Sequence, residues 1–346
     1  MVSTTTSTTT STTTSTTTST GGGSGKAIEA AKETWTWVPF DDAFCADGTA
    51  TGIGVNLTDK SSRVLVFLQG GGACWDEVTC YTLQTASHVT GGYGEADFKS
   101  ETAMYSTSGF FDRTDPTNPF KDYSMVYVPY CTGDIHGGNN IADYNGKKTY
   151  HVGFKNMQAY LSRLVPTFAS ADRVYLSGVS AGGYGAAINW WQTQQAFGKV
   201  RVDMIDDSGT TLAPMYTNPA YAKAQRENWD LDATLPPDCM ECKTDPGGVL
   251  SYYGTVFADH RAALLSYTRD TVISQFNSIS KDQFAVGLDE MLKARIDPFP
   301  SFHYFVFAGE GHVLWGQPTL TTKNVTVKQW LTQMVTDDKA WTSEHP

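Results

Sequence analysis

The residues best suited to chemistry lie at 178–182, GVSAG, directly after the short apolar run 174–176. A strand before such a turn and a helix of small residues after it favour a nucleophile elbow, which holds a serine hydroxyl above a sheet. The two glycines lie two residues before and after the serine, where side chains would keep the strand and the helix apart. The pattern predicts Ser180 as a nucleophile; the alternative is an incidental serine in a glycine-rich turn.

Two later segments end in residues that could activate a serine hydroxyl. Asp270 follows the apolar run 262–267, and His312 lies in a glycine-flanked loop after the run 303–307. The carboxyl ends of parallel strands meet at one edge of a sheet, so we expect both side chains near Ser180. His312 would take the serine proton and Asp270 would orient the imidazole. The chain order Ser, Asp, His is that of the α/β-hydrolase fold.

Other residues compete for these roles. Asp206 and Asp207 follow the predicted strand 200–205 and are alternative acids, although we interpret them as loop caps behind the nucleophile. His136 and His151 are the alternative histidines, with contact to the substrate as their expected role.

A run of glycines follows the buried strand predicted at 63–68. Backbone N–H groups that face a developing oxyanion stabilise it by ~3–4 kcal/mol per donor, and glycines let the chain turn its amides without obstruction. We therefore predict an oxyanion hole formed by the amides of Gly71, Gly72 and Ala181.

Strands and helices alternate along the rest of the chain. Apolar runs predict further strands at 124–129 and 174–176, helical spacing predicts helices at 152–164, 182–195, from 271 on and at 327–335, and Asp47-Gly48 predicts a hairpin within 44–55. This alternation implies an α/β protein with a mostly parallel sheet and helices on both faces. We expect residues 84–122 to be a long loop or insertion and 210–248 to be a cap.

Composition excludes several function classes. Of the 346 residues, the first 25 are almost wholly Ser, Thr and Gly and should form a disordered leader or stalk, which leaves 26–346 as one catalytic domain. The net charge of −11 without a basic cluster argues against a nucleic acid or an anionic membrane as partner. No apolar run approaches the ~20 residues of a membrane span. We expect the protein to be a monomer.

Six cysteines favour an oxidising compartment. Proximity pairs Cys74 with Cys80 and Cys239 with Cys242, and elimination pairs Cys45 with Cys131. Cys239 and Cys242 could instead be half of a zinc site, but no second pair is spaced to complete it. Sequons at Asn56 and Asn324 also favour export as a glycoprotein, so we expect that an export signal has been lost. A cytosolic protein with free thiols is the alternative.

With these residues in hand, the chain resembles the pectin acetylesterase / Notum family of serine carboxylesterases. The resemblance spans about 35–315 and rests on segments that include CADGTATGIGVN, VLVFLQGGGACW, LSGVSAGGYGA and DDSG. It implies an α/β-hydrolase fold, export, disulfides and ester hydrolysis without a cofactor, and the spacing of Cys and His residues separately argues against a metal. It carries the family's triad onto Ser180, Asp270 and His312, and its oxyanion donors onto Gly71, Gly72 and Ala181.

One departure bears on the substrate. Plant members usually read EGGGWC where this chain reads QGGGAC, so an aromatic beside the oxyanion hole is missing or replaced by Trp75. We expect an extracellular serine carboxylesterase, with an O-acetyl ester on a polysaccharide such as pectin as the favoured substrate. The alternatives are a lipid or fatty-acyl esterase of the Notum type and a catalytically inactive, surface-tethered binding protein.

Overall fold

The computed structural model describes residues 25–106 and 109–346. The predicted disordered leader lies outside these ranges except for its last residue, Gly25.

Twelve strands are formed by the described residues. They are β1 (Thr36–Phe44), β2 (Ala50–Asn56), β3 (Arg63–Leu68), β4 (Ser124–Val128), β5 (Asn140–Tyr144), β6 (Lys147–His151), β7 (Arg173–Val179), β8 (Arg201–Asp207), β9 (Ala262–Tyr267), β10 (Phe302–Phe307), β11 (Thr321–Thr322) and β12 (Val325–Thr326). Eight of them form one sheet in the order β1-β2-β4-β3-β7-β8-β9-β10. Within this sheet the six neighbouring strands β4, β3, β7, β8, β9 and β10 are parallel, and β2 is antiparallel to both β1 and β4. The mostly parallel sheet is confirmed.

Eight α-helices accompany the strands in the described ranges. They are α1 (Glu95–Tyr105), α2 (Gly153–Thr167), α3 (Ala181–Phe197), α4 (Pro219–Trp229), α5 (Gly248–Val256), α6 (Thr271–Asn277), α7 (Lys281–Arg295) and α8 (Val327–Val335). The described ranges also contain five short helical turns. Four are 3₁₀ helices (Gly109–Phe111, Pro214–Tyr216, Leu231–Ala233 and Glu241–Lys243) and one, before α1, is a π-helix (Val78–Thr82).

Strand β3 shows how the sheet separates two apolar layers. Val64 and Val66 belong to the buried apolar cluster that includes residues of α2, α3 and α7, whereas Leu65 and Phe67 belong to the cluster that includes residues of α1 and α8. Because successive side chains of a strand point to opposite faces, an all-apolar strand must be covered on both. The prediction of helices on both faces is confirmed.

The interpretation of 84–122 as a loop is wrong in part. It contains α1, whose Phe98 packs against Trp37 and Tyr127 below it. Few apolar residues mark this helix, because Phe98 and Thr102 are its buried side chains among those described. The hairpin of β5 and β6 is also absent from the sequence-based prediction.

Residues 210–248, called the cap below, carry α4 and several short turns. Leu212, Leu235 and Cys242 of the cap are buried in the same apolar cluster as α3 and α7. The cap therefore packs on the sheet domain and covers one side of its carboxyl edge.

Three disulfides are present, Cys45–Cys131, Cys74–Cys80 and Cys239–Cys242, the pairs named from the sequence. The first joins the segments that follow β1 and β4, the second closes the loop after β3, and the third lies within the cap. Within the described ranges, none of the helices has the length and apolar character needed to cross a bilayer.

Candidate active site

Ser180 forms a sharp turn between β7 and α3. Its backbone has φ +55° and ψ −120°, a conformation that costs a non-glycine residue ~1–3 kcal/mol. A Cβ on Gly178 would lie 2.0 Å from the carbonyl oxygen of Gly182, and a Cβ on Gly182 would lie 2.0 Å from that of Leu68. Both glycines are therefore required for the strand and helix to approach, as the elbow pattern predicts.

The imidazole of His312 is oriented by Asp270. Nδ1 of His312 lies 2.7 Å from Oδ2 of Asp270, whose side chain is fully buried. The other carboxylate oxygen accepts the N–H groups of Val272 and Ile273 at the start of α6, both at 2.9 Å. An ionised carboxylate can only accept, so Nδ1 is the protonated nitrogen and Nε2 keeps its lone pair. Nε2 is buried and without a hydrogen-bond partner in the described part of the chain, which leaves it available to act as a base.

Strand β8 connects Ser180 with the loop that carries His312. The N–H of Ser180 donates to the carbonyl oxygen of Asp207 at 2.7 Å. The carboxylate of Asp207 accepts the N–H groups of Leu314 and Trp315 at 2.8 and 2.6 Å. Between the hydroxyl of Ser180 and Nε2 of His312 the described atoms show no direct hydrogen bond; such catalytic hydrogen bonds are often long without substrate.

Asp206 and Asp207, the alternative acids, make no hydrogen bond to the imidazole. Asp206 accepts the N–H of Gly209 at 2.8 Å, and Asp207 binds backbone groups. Burial raises the pKa of Asp206 to about 7 and that of Asp207 to about 6. Asp270 is the carboxylate that the fold brings to the ring of His312.

The loop after β3 approaches Ser180 closely. A Cβ on Gly70 would lie 3.0 Å from Cβ of Ser180, and Gly72 has φ +78°, which favours glycine. The carbonyl of Gly71 and the N–H of Ala73 are tied to Ser87 and Thr85. No described residue accepts a hydrogen bond from the N–H groups of Gly71, Gly72 or Ala181. These three predicted donors are thus free to bind an oxygen.

The start of this loop is fixed by Gln69. Its side chain accepts the N–H of Tyr130 and donates to Glu101 of α1, both at 3.0 Å, while its backbone oxygen lies 2.8 Å from Nε2 of His136. Sequence reasoning missed Glu101 because it lies in the segment interpreted as a loop.

The expected substrate contact of His136 and His151 is wrong. Both side chains are buried, and burial lowers the pKa of each ring to about 4. Nδ1 of His151 lies 2.8 Å from the carbonyl oxygen of Thr132, and its Nε2 lies 3.0 Å from the hydroxyl oxygen of Tyr144. Each neutral ring therefore supports the loops behind the site.

A cavity of about 560 Å³ extends from Ser180 beneath the cap. Gly72 and Ala181 line it beside the nucleophile. The rest of its wall comes from α3, α6, the loop after β4 and the cap, which includes α4. Most of that wall is apolar and includes Ile135, Ile188, Leu212, Trp229, Leu235 and Phe276. The cavity offers an apolar group a largely apolar site next to a serine hydroxyl.

The family is shown by comparison with known proteins. A family model described as pectinacetylesterase matches residues 29–230, more than half of the chain. The chain belongs to the pectinacetylesterase family. The resemblance inferred from the sequence is confirmed.

Two curated relatives match in part. The palmitoleoyl-protein carboxylesterase NOTUM of Schmidtea mediterranea is 29% identical over 150 residues, which cover 42% of this chain and 27% of that protein. Pectin acetylesterase 11 of Arabidopsis thaliana is 26% identical over 214 residues, which cover 57% of this chain and 51% of that protein. The matches thus span between about a quarter and about a half of these relatives.

A solved structure extends the comparison over the whole fold. The Wnt deacylase Notum from Drosophila superposes with a TM-score of 0.66 and 17% identity, covering 91% of this chain and 97% of that one. The protein has the α/β-hydrolase fold, as predicted.

The departure at the oxyanion loop has a structural consequence. Ala73 lines the cavity, whereas Trp75 packs against Tyr221 with ring centroids 4.9 Å apart and is 4% exposed. Trp75 does not line the cavity and so does not take the place of the aromatic of plant members. The small side chain at residue 73 leaves the cavity open beside the glycines.

One group of potential metal ligands is present among the described residues. It comprises Cys74, Cys80 and His151, whose ligand atoms lie within 4.8 Å of one another. Both sulfurs form a disulfide, so they offer no thiolate to a metal.

Proposed function

We propose that the protein is a serine carboxylesterase that works through an acyl-enzyme. Ser180 is the nucleophile, His312 the general base and acid, and Asp270 the carboxylate that orients it. The observation that carries the proposal is the 2.7 Å contact from Asp270 to Nδ1 of His312, which favours the neutral tautomer with its lone pair on Nε2, an atom that has no hydrogen-bond partner among the described residues. The amides of Gly71, Gly72 and Ala181 form the oxyanion hole.

The reaction proceeds in two halves. The oxygen of Ser180 attacks the ester carbonyl carbon while its proton moves to Nε2 of His312, and the carbonyl oxygen becomes an oxyanion. The intermediate collapses, the C–O bond of the ester breaks, and the leaving alcohol takes the proton from Nε2. Water then repeats the attack on the acyl-enzyme and releases the acid and the free serine.

Labelling with a fluorophosphonate probe tests this proposal. The probe should modify one site in the wild-type protein and none in the Ser180→Ala variant. Ester hydrolysis that persists in Ser180→Ala would overturn the assignment. Absence of both labelling and hydrolysis in the folded wild type would favour the inactive binding protein.

The size and lining of the cavity support an apolar acyl group longer than acetyl. An acetyl group would leave most of the 560 Å³ empty, while each methylene that enters contributes about 0.8 kcal/mol. A relative's name, palmitoleoyl-protein carboxylesterase, agrees with a long acyl group. We therefore place an ester of a medium or long acyl chain first among the substrates.

An acetyl ester on a polysaccharide is the second candidate. The family description and the Arabidopsis relatives, named pectin acetylesterases, support it. A series of p-nitrophenyl esters from acetate to palmitate separates the two candidates. A rise of up to about fourfold in kcat/KM per methylene favours the acyl pocket, and activity on acetate alone favours the second candidate.

We further propose that the enzyme acts outside the cell. Its six cysteines are all paired, and disulfides persist in oxidising compartments. The two sequons differ in their setting. Asn56 is buried and its side-chain oxygen accepts from Nε of Arg113 at 3.1 Å, whereas Asn324 is exposed between β11 and β12. Asn324 is therefore the site open to a glycan.

A further inference from the structure

Asp207 contacts the backbone on both sides of the proposed catalytic pair. Its carbonyl oxygen accepts the N–H of Ser180 at 2.7 Å, and its carboxylate accepts the N–H groups of Leu314 and Trp315 at 2.8 and 2.6 Å. The side chain is fully buried. One residue thus fixes the position of the nucleophile's backbone relative to the chain directly after His312.

Ser208 completes this set of contacts. Its hydroxyl donates to Oδ1 of Asp207 at 2.9 Å and accepts the N–H of Val313 at 3.1 Å. The three consecutive N–H groups after His312 are therefore all accepted by Asp207 and Ser208. A loop whose amides converge in this way on two acceptors is held in one conformation.

The conformation that these contacts hold is strained. Val313 has φ +65°, which is rare for a β-branched residue, and Ser208 has φ +64°. Such backbone angles persist only where the surrounding contacts enforce them. Loss of the acceptor at Asp207 would allow the loop to relax and would shift the ring of His312 from the nucleophile.

We propose that Asp207 is a positioning residue that holds the backbone of the base loop in register with Ser180, while Asp270 orients the ring. This inference rests on the proposed function, because it assigns a role relative to that nucleophile and base. It adds a second carboxylate, from a different strand, that binds the backbone of the loop and accepts no hydrogen bond from the ring.

Asp207 also places negative charge near the base. It interacts electrostatically with His312, and its pKa, raised by burial to about 6, leaves it ionised at neutral pH. Other charged or titratable groups that adjoin the base loop are Asp270, Tyr267 and the Glu310–Lys281 ion pair, while Asp206 adjoins Asp207 itself. All of these remain when Asp207 alone is changed.

The Asp207→Asn variant tests the inference, with Asp206→Asn as its matched control. Asparagine offers one acceptor where three donors converge, and its NH₂ group would face an N–H of the loop. We expect kcat to fall by about a hundredfold with little change in KM, since a misplaced catalytic group costs about this factor. Asp206→Asn, which changes an equally buried carboxylate that caps Gly209, should stay within about twofold of the wild type.

Three outcomes decide the matter. A folded Asp207→Asn protein with kcat within about threefold of the wild type would overturn the inference. If that variant does not fold, Ser208→Ala takes its place: a roughly tenfold loss of kcat at unchanged KM supports the inference, and wild-type kcat overturns it. Activity in Ser180→Ala would instead refute the proposed function, so the two failures are distinguishable.

Discussion

The substitution Ala222→Trp tests whether the cavity beneath the cap receives the acyl chain. Ala222 lies on α4, lines the cavity and is partly buried, so an indole there would project into the part of the cavity lined by α4. Octanoate has six more methylenes than acetate, which at about 0.8 kcal/mol each would contribute at most about 5 kcal/mol in the wild type. If the indole excludes two of them, about 1.6 kcal/mol is lost, and kcat/KM for octanoate falls about fifteenfold.

The assay compares kcat/KM for p-nitrophenyl acetate and octanoate in the wild type and the variant. Acetate hydrolysis should be nearly unchanged, because the ester carbonyl and its amide donors lie outside the filled space. The control is Ala220→Trp, an exposed position of the same helix that does not line the cavity, and both of its rates should match those of the wild type. Equal effects on acetate and octanoate in Ala222→Trp would refute the assignment of the cavity to the acyl chain.

Three further predictions follow from single contacts. Asp270→Asn should lower kcat by about three to four orders of magnitude at neutral pH, because the wrong tautomer of His312 is favoured; steady-state kinetics near those of the wild type would exclude Asp270 as the acid. Relative to the wild type, the free energy of unfolding of Asp206→Asn should increase by about 2–4 kcal/mol between pH 4 and pH 8. Burial raises the pKa of Asp206 to about 7, so the wild type loses the stability linked to the neutral carboxyl as pH rises through that value. The asparagine variant has no such group to ionise. Urea unfolding at the two pH values measures this, and a pH-independent difference contradicts it. Expression in a eukaryotic secretory host should add an N-glycan at Asn324 and none at Asn56, as read by peptide mass before and after deglycosylation; a glycan on Asn56 would contradict the observed burial.

Local patterns account for the parts of the fold that sequence reasoning predicted. Residues 63–68 and 262–267 are continuous apolar runs, and they form β3 and β9 with the predicted bounds. The elbow at Ser180 is equally local, because its two glycines are required by contacts within a few residues and with the end of the neighbouring strand. Such signals depend on neighbours in sequence or on burial of a whole strand, so the local order of residue types reveals them.

Long-range contacts account for what was missed. The role of Asp207 depends on backbone N–H groups more than a hundred residues later, and no residue type marks a backbone donor. Helix α1 is held through Phe98 and the partly buried hydrogen bonds of Glu101, in a segment without clear periodicity. The burial of Asn56 likewise follows from the pairing of β2 with β4, where Asn56 lies opposite Met125, and from its contact with Arg113.

The most direct test of the account is to trap the acyl-enzyme. The wild-type protein is mixed with p-nitrophenyl octanoate, quenched in acid within one turnover, and digested for peptide mass analysis. The account predicts one octanoyl group, located on Ser180, that disappears as turnover completes and does not form in Ser180→Ala. Turnover with no covalent adduct, or an adduct on another residue that is released at the rate of turnover, would contradict it.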